Sequence, residues 1–159
     1  MITIEIICIG KLKERYWREA IEEYGKRLRG YCRFHITELG EERLPENPSP
    51  AQIKQCLEKE GEQFFSYLKG KKYYALCVEG TAISSEQFAE RIQKEMNFGE
   101  SWIGFVIGGS YGLSSKVKQA AALRLSFSSM TFPHQLMRVI LCEQLYRVFS
   151  ILNGGKYHK

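Results

Sequence analysis

The segment WIGFVIGGSYGLS, residues 102–114, joins a continuously apolar run to a loop that contains Gly108, Gly109 and Gly112. An apolar run of this kind is typical of a strand that is covered on both faces of a parallel sheet. Serines follow the loop, as is common where a helix begins. The segment therefore predicts a strand, a loop with accessible backbone and a helix, and it leaves open which ligand the loop holds.

The rest of the chain repeats this alternation of strand and helix. Apolar or alternating stretches predict strands, whereas amphipathic or capped stretches predict helices. The predicted strands are residues 2–9, 33–39, 73–79, 102–108 and 123–128. The predicted helices are residues 13–29, 50–68, 85–96, 115–122 and 134–152. We therefore expect an α/β fold with a mainly parallel sheet and helices on both faces, in a single domain that spans residues 1–159.

Three loops lie at the carboxyl ends of the predicted strands, after Val78, Ile107 and Ser128. In a parallel sheet, ligands bind beyond these ends. The three loops are therefore the predicted binding region.

The glycine loop, residues 108–112, does not fit the common phosphate-binding motifs. Its pattern is G-G-x-x-G, no acidic residue follows about 20 positions later for a ribose, and no Gly-Lys-Ser/Thr follows. Dinucleotides and nucleoside triphosphates are thus disfavoured as ligands of this loop. Taken alone, the loop is better explained as a tight turn in which the Gly-Gly pair adopts positive φ.

The charge distribution indicates an anionic partner. The chain has 159 residues, a net charge of +5 and no aspartate, which excludes catalytic sites built on Asp. From Ser101 onward the only acid is Glu143, so this part is strongly basic. A basic surface is typical of nucleic-acid binding, although a merely solvated basic surface fits as well.

The five cysteines are scattered and form no C-x-x-C pair, which predicts neither a zinc site nor a disulfide framework. No apolar run approaches the ~20 residues that cross a bilayer. We therefore expect a cytoplasmic protein with no metal and no membrane association.

The last predicted helix, residues 134–152, is apolar nearly all round. Such a helix must be covered on more than one side. The pattern favours a symmetric dimer with this helix at the interface, with simple packing beneath the sheet as the alternative.

Four stretches carry a resemblance to a known family. They are VIGGSYGLS (106–114), the C-terminal stretch from LSFSSMTFPHQLMR to NGGKYHK (125–159), CIGKLKERYWREAIEEY (8–24) and KEGEQ (59–63). On these residues the chain resembles the small stand-alone SPOUT methyltransferases that modify N3 of a pseudouridine in 23S ribosomal RNA.

This resemblance implies a C-terminal trefoil knot that binds S-adenosylmethionine in a bent form through the backbone of three loops. It also implies a homodimer whose active sites are shared between protomers, with the assembled ribosome as substrate. Transferred by position, the cofactor-binding residues are Leu76, Gly108, Phe127, Ser128, Ser129, Met130, Thr131 and Phe132.

Methylation of N3 requires a group that removes its proton or stabilises the resulting anion. The candidates in the basic half are His134, Arg138, Tyr157 and His158, with Arg138 also able to contact substrate phosphate. Each also has a structural alternative, and Glu143 is expected to pair with Arg147 at i+4. The resemblance extends to the Tyr-His ending, which we expect to order over the partner's active site when RNA binds.

Two other functions fit the same residues. One is a non-catalytic module that binds RNA or the ribosome through the basic surface. The other is a SPOUT methyltransferase with a different RNA target.

Overall fold

Five strands alternate with five helices along the computed structural model, which describes residues 1–159. The strands are β1 (Thr3–Ile9), β2 (Arg33–Leu39), β3 (Tyr73–Ala82), β4 (Trp102–Ile107) and β5 (Leu123–Ser126). The helices are α1 (Arg15–Leu28), α2 (Pro50–Leu68), α3 (Ser85–Asn97), α4 (Ser115–Ala120) and α5 (His134–Leu152). The predicted alternation is confirmed, although β3 runs farther and α4 and β5 end earlier than the sequence indicated.

All four strand pairings are parallel, and the strand order is β2-β1-β4-β3-β5. The predicted α/β class is therefore confirmed. The order of the strands in the sheet differs from their order in the chain, and β4 lies between β1 and β3. A crevice is expected where the order of connections reverses, at the carboxyl ends of these strands.

Helices cover both faces of the sheet. Successive side chains of the central strand β1 point to opposite faces, so this strand contributes to a core on each side. Ile4 and Ile6 belong to a core that α1, α3 and α5 complete. Ile7 and Ile9 belong to a second core that α2 and α4 complete, with Phe64 fully enclosed. Burying each such side chain stabilises the fold by about 1.5–3 kcal/mol.

Two helices begin at capping serines. Ser49 and Ser84 accept hydrogen bonds from the backbone of Gln52 and Gln87, whose side chains accept from the two serine N–H groups. Both capping boxes are thus complete, and each satisfies backbone donors that the first helical turn leaves free. These caps fix where α2 and α3 start relative to the sheet.

Strand β3 contains a bulge, residues 77–80, that the sequence did not indicate. Leu76 and Thr81 both pair with Leu125, so the four residues between them leave the ladder. Gly80 is required in the bulge because a Cβ there would lie 2.7 Å from the backbone of Arg124. The bulge turns the segment before Gly80 toward the carboxyl edge of the sheet.

Helix α5 has no fully exposed residue, but its outer face is only partly covered within one chain. Its inner face contributes Leu141, Leu145 and Val148 to the core. None of the helices, α5 included, is both long and apolar enough to cross a membrane.

Candidate cofactor site and catalytic groups

A cavity of about 700 Å³ opens at the carboxyl ends of β3, β4 and β5. Three segments form most of its wall: the start of the bulge, the glycine loop and the loop that connects β5 to α5 (residues 127–133, the α5 loop). The three loops that the sequence selected therefore do lie together.

The glycine loop folds back tightly on itself. Gly112 has φ +82, and its N–H donates to the Gly109 carbonyl at 3.0 Å. Neither Gly108 nor Gly109 has positive φ, so the expectation that the Gly-Gly pair supplies it is wrong. Gly108 is required for another reason: a Cβ there would lie 2.1 Å from the carbonyl oxygen of Gly112. The close approach of two backbone segments keeps main-chain groups at the cavity surface.

The α5 loop is held to the bulge by a buried serine that the sequence analysis missed. The Ser126 hydroxyl lies 2.9 Å from the carbonyl oxygen of Val78 and 3.0 Å from that of Ser128. Ser128 in turn accepts from the backbone N–H of Met130 at 3.0 Å. No motif marked Ser126, because its role depends on the neighbouring strand.

Seven of the eight residues proposed for cofactor binding line this cavity, and Ser129 does not. The seven are Leu76, Gly108, Phe127, Ser128, Met130, Thr131 and Phe132. Ser129 is exposed beside them. Their contact with the cofactor stays a prediction.

The cavity also contains two charged side chains that the sequence analysis did not select. Glu79 extends from the bulge and Lys118 from α4, and they form an ion pair. They lie about 40 positions apart in the chain, so only the fold reveals that they meet.

His134 is the first residue of α5, and it lines the cavity. Burial, and then the nearby charge of Arg138, lower the pKa of its imidazole, while Glu41 partly opposes them. His134 is therefore neutral near pH 7, so one ring nitrogen is free to accept a proton or a hydrogen bond.

Arg138 does not face the cavity, and the expectation that it contacts substrate is wrong. Its side chain is fully buried, and it donates to the carbonyl oxygens of Ile9 (2.7 Å) and Gly10 (3.0 Å) and to the carboxylate of Glu38 (3.0 Å). Glu38 also accepts from the backbone N–H of Leu12 at 2.8 Å. Arg138 thus fixes the start of α5 to the ends of β1 and β2 through these three hydrogen bonds.

Tyr157 and His158 lie away from the cavity, in a cluster on α5 and α3. The Glu143 carboxylate accepts from Arg147 and, at 3.0 Å, from the Tyr157 hydroxyl, which confirms the i+4 pair. Burial and this carboxylate raise the pKa of Tyr157 to about 12. The His158 ring lies 2.8 Å from Glu86 and 3.2 Å from Arg147. Within one chain, His134 and this tail cluster are therefore separate.

Comparison with known proteins decides the family. The family model described as "Predicted SPOUT methyltransferase" matches residues 2–158. The chain belongs to the SPOUT methyltransferases. It is therefore an enzyme, and its methyl donor is S-adenosylmethionine, as the resemblance in the sequence implied.

Relatives among the SPOUT methyltransferases match over nearly the whole chain. Proteins from Limosilactobacillus reuteri (strain DSM 20016) and Ligilactobacillus salivarius (strain UCC118) are both 48% identical to it. A protein from Carboxydothermus hydrogenoformans is 46% identical. Each alignment covers 99% of this chain and 100% of the relative, and each relative is named ribosomal RNA large subunit methyltransferase H.

Solved SPOUT-like structures share the fold at low sequence identity. A probable methylase family protein from Haemophilus influenzae Rd KW20 has a TM-score of 0.58 at 13% identity, covering 98% of this chain and 70% of that one. TrmJ from Z. mobilis ZM4 has a TM-score of 0.55 at 12% identity, covering 93% and 70%. These matches support the fold alone.

The cavity fits the chemistry of S-adenosylmethionine. This molecule has no phosphate, and the cavity has no cluster of basic residues to hold one. Apolar side chains such as Leu76 and Phe127 suit an adenosine, and the backbone of the glycine loop is accessible for hydrogen bonds. The pair of Glu79 and Lys118 adds both signs of charge for a ligand that is itself zwitterionic.

Proposed function

We propose that the protein methylates N3 of a pseudouridine in the 23S ribosomal RNA of the assembled ribosome. The observation that carries the proposal is the position of His134, a half-buried neutral imidazole at the wall of a cavity suited to the methyl donor. The names of the full-length relatives support ribosomal RNA as the substrate.

The chain contributes proton removal and positioning to this reaction. S-adenosylmethionine supplies an electrophilic methyl group on a sulfonium. The N3 atom of the base carries a proton at neutral pH, and neutral His134 accepts it as the nucleophile forms. The apolar wall beside His134 excludes water, which strengthens every electrostatic interaction inside the site. Residues 76, 108 and 127–132 hold the donor.

The proposal includes a homodimer formed through α5. Leu136, Val139 and Ile140 lie on the outer face of this helix and are only partly covered within one chain. Glu143 and Arg147 continue the same face, since residues three or four apart lie on one side of a helix. A partner on this face would meet the tail cluster, so Tyr157 and His158 of one protomer complete the active site of the other.

The proposal also includes a trefoil knot in the C-terminal part, a single SPOUT domain over residues 1–159 and a location in the cytoplasm. The parallel sheet, whose strand order differs from the chain order, supports the knot and the single domain. No helix is long and apolar enough to cross a membrane, which is compatible with a cytoplasmic location.

Mass spectrometry of ribosomal RNA nucleosides tests the substrate. Ribosomes from a strain that lacks the gene are incubated with the protein and S-adenosylmethionine. We expect one new methyl group on a pseudouridine of the large subunit RNA. A methyl group on another nucleotide would indicate a different RNA target, and ribosome binding without any methylation would indicate the non-catalytic module.

Mixed dimers test the shared active site. The variant His134→Gln and a variant truncated after Lys156 are each expected to be inactive. In a heterodimer, the intact His134 of one chain meets the intact tail of the other, so co-expression restores one active site. If heterodimers form without any recovery of activity, the active site is not shared between protomers.

A further inference from the structure

The wall of the cofactor cavity contains only two ionised side chains, and they pair with each other. Lys118 donates from Nζ to the Glu79 carboxylate. Apart from the neutral His134, the remaining lining residues are apolar or uncharged. One ion pair therefore carries all the formal charge of the cavity.

This pair lies at the mouth of the cavity rather than deep inside it. The Lys118 side chain is 26% exposed and that of Glu79 is 52% exposed. The hydrogen bond from Lys118, together with the charge of Arg124, lowers the pKa of the Glu79 carboxyl. The Glu79 carboxylate is therefore ionised at neutral pH, and both side chains are accessible to a ligand that enters.

The pair is not needed to hold the two segments that carry it. Helix α4 is fixed by Val117, which is fully buried and whose carbonyl oxygen accepts from the Tyr73 hydroxyl at 2.5 Å. The bulge is fixed by the contact between Ser126 and Val78. A partly exposed ion pair of this kind adds little to stability, so the pair is free to exchange partners.

We propose that Glu79 and Lys118 form a subsite for the amino-acid end of S-adenosylmethionine. This end carries an ammonium and a carboxylate, and charges that enter an apolar cavity need partners of opposite sign. Glu79 accepts hydrogen bonds from the ammonium, and Lys118 donates to the carboxylate. The bond between the two side chains is exchanged for two bonds to the ligand. The inference rests on the proposed use of this cavity by the methyl donor.

Calorimetric titration with three ligands tests the subsite. S-adenosylmethionine and S-adenosylhomocysteine carry the amino-acid end, whereas methylthioadenosine lacks it. Hydrogen bonds to charged groups are stronger than those between neutral groups, and the tenfold change in affinity expected here corresponds to about 1.4 kcal/mol. We expect Glu79→Gln and Lys118→Gln each to weaken the first two ligands about tenfold and to leave methylthioadenosine within about twofold.

The control is Lys116→Gln, an exposed lysine of the same helix that does not line the cavity. It is expected to bind all three ligands like the unaltered protein. If the Glu79 and Lys118 variants also lost affinity for methylthioadenosine to a similar degree, the subsite would be contradicted, because the pair would then act by holding the cavity wall. Unchanged affinity for S-adenosylmethionine would overturn it as well. Failure of the unaltered protein to bind any of the ligands would instead contradict the proposed function.

Discussion

At the scale of single residues, Arg138 and His134 differ in environment although one helical turn separates them. Both lie on the same side of α5, because residues at i and i+4 share a face. The longer side chain of Arg138 starts one turn deeper and ends on the carbonyl oxygens of Ile9 and Gly10. His134 stays at the cavity wall. The sequence analysis selected both as catalytic candidates, and only packing against β1 separates their roles.

Substitution of Arg138 is expected to destabilise the fold. Arg138→Met removes the donor shared by the carbonyl oxygens of Ile9 and Gly10 and by the Glu38 carboxylate, and a buried acceptor that loses its partner costs about 1–3 kcal/mol. Urea denaturation measures the loss. Arg15→Met removes an exposed arginine that pairs only with Glu19 and serves as the control, with a change within about 0.5 kcal/mol. Equal effects of the two variants would show that Arg138 has no special structural role.

His134→Gln is expected to lower the methylation rate about 10²–10⁴-fold, the range of general base catalysis. Affinity for S-adenosylmethionine stays within about twofold, as calorimetry measures. A single-turnover assay on ribosomes gives the rate, and Gln135→Asn is the control because Gln135 does not line the cavity. An unchanged rate for His134→Gln would exclude this residue as the base.

The pH dependence of the rate provides a second test of His134. Because its pKa is lowered, the imidazole stays neutral below the ordinary value of about 6.5. Activity should be retained through that pH and fall only under more acidic conditions, as His134 becomes protonated. The unfolded chain binds this proton more readily, so His134 also lowers stability as pH falls below about 6.5. An acidic limb above the ordinary pKa would contradict the proposed environment.

At the scale of elements, the sequence predicts where the loops around the cavity lie better than it predicts their conformation. The alternation of apolar stretches and the capping serines located all ten elements, because these signals are local. The bulge in β3 was not foreseen, since a register shift depends on the neighbouring β5. The glycine loop was located correctly, but the reason for Gly108 lies in the approach of Gly112, which no spacing reveals.

The two adjacent glycines of the loop are expected to respond differently to alanine. In Gly108→Ala the new methyl group would lie 2.1 Å from the Gly112 carbonyl oxygen, so the loop must shift. In Gly109→Ala the nearest atom is 3.6 Å away, an ordinary contact. We expect at least a tenfold loss of S-adenosylmethionine affinity for the first variant and less than threefold for the second, measured by calorimetry. Equal affinities would mean that the shape of the loop is unimportant.

At the scale of the whole molecule, the contacts within one chain do not account for the apolar outer face of α5, which they leave only partly covered. The apolar composition of this helix predicted coverage on more than one side, and the structure of one chain provides only the inner side. The tail adds its own contacts to Glu143 and Glu86 on the same chain. The proposed knot comes from the family resemblance alone, because it depends on how distant segments are arranged. The proposed dimer is suggested by the apolar pattern of α5, but its geometry depends on a second chain.

Ile140→Glu tests this face directly. A charge in the middle of the proposed interface is expected to shift the protein from dimer to monomer in analytical ultracentrifugation. Methylation should fall with dissociation, while each monomer keeps its cavity and its affinity for S-adenosylmethionine. Phe98→Glu places the same charge on a residue that is 77% exposed after α3 and is the matched control. A monomeric unaltered protein, or a dimer that tolerates Ile140→Glu, would contradict the proposed interface.

The bulge in β3 has a kinetic consequence. Both of its ends are paired with Leu125, and Ser126 holds its middle, so the chain around Glu79 is already ordered before any ligand arrives. Recognition then involves little loss of conformational entropy and no slow rearrangement. In stopped-flow experiments the observed rate of cofactor association should increase linearly with cofactor concentration. A rate that reaches a plateau would reveal a conformational step that limits binding.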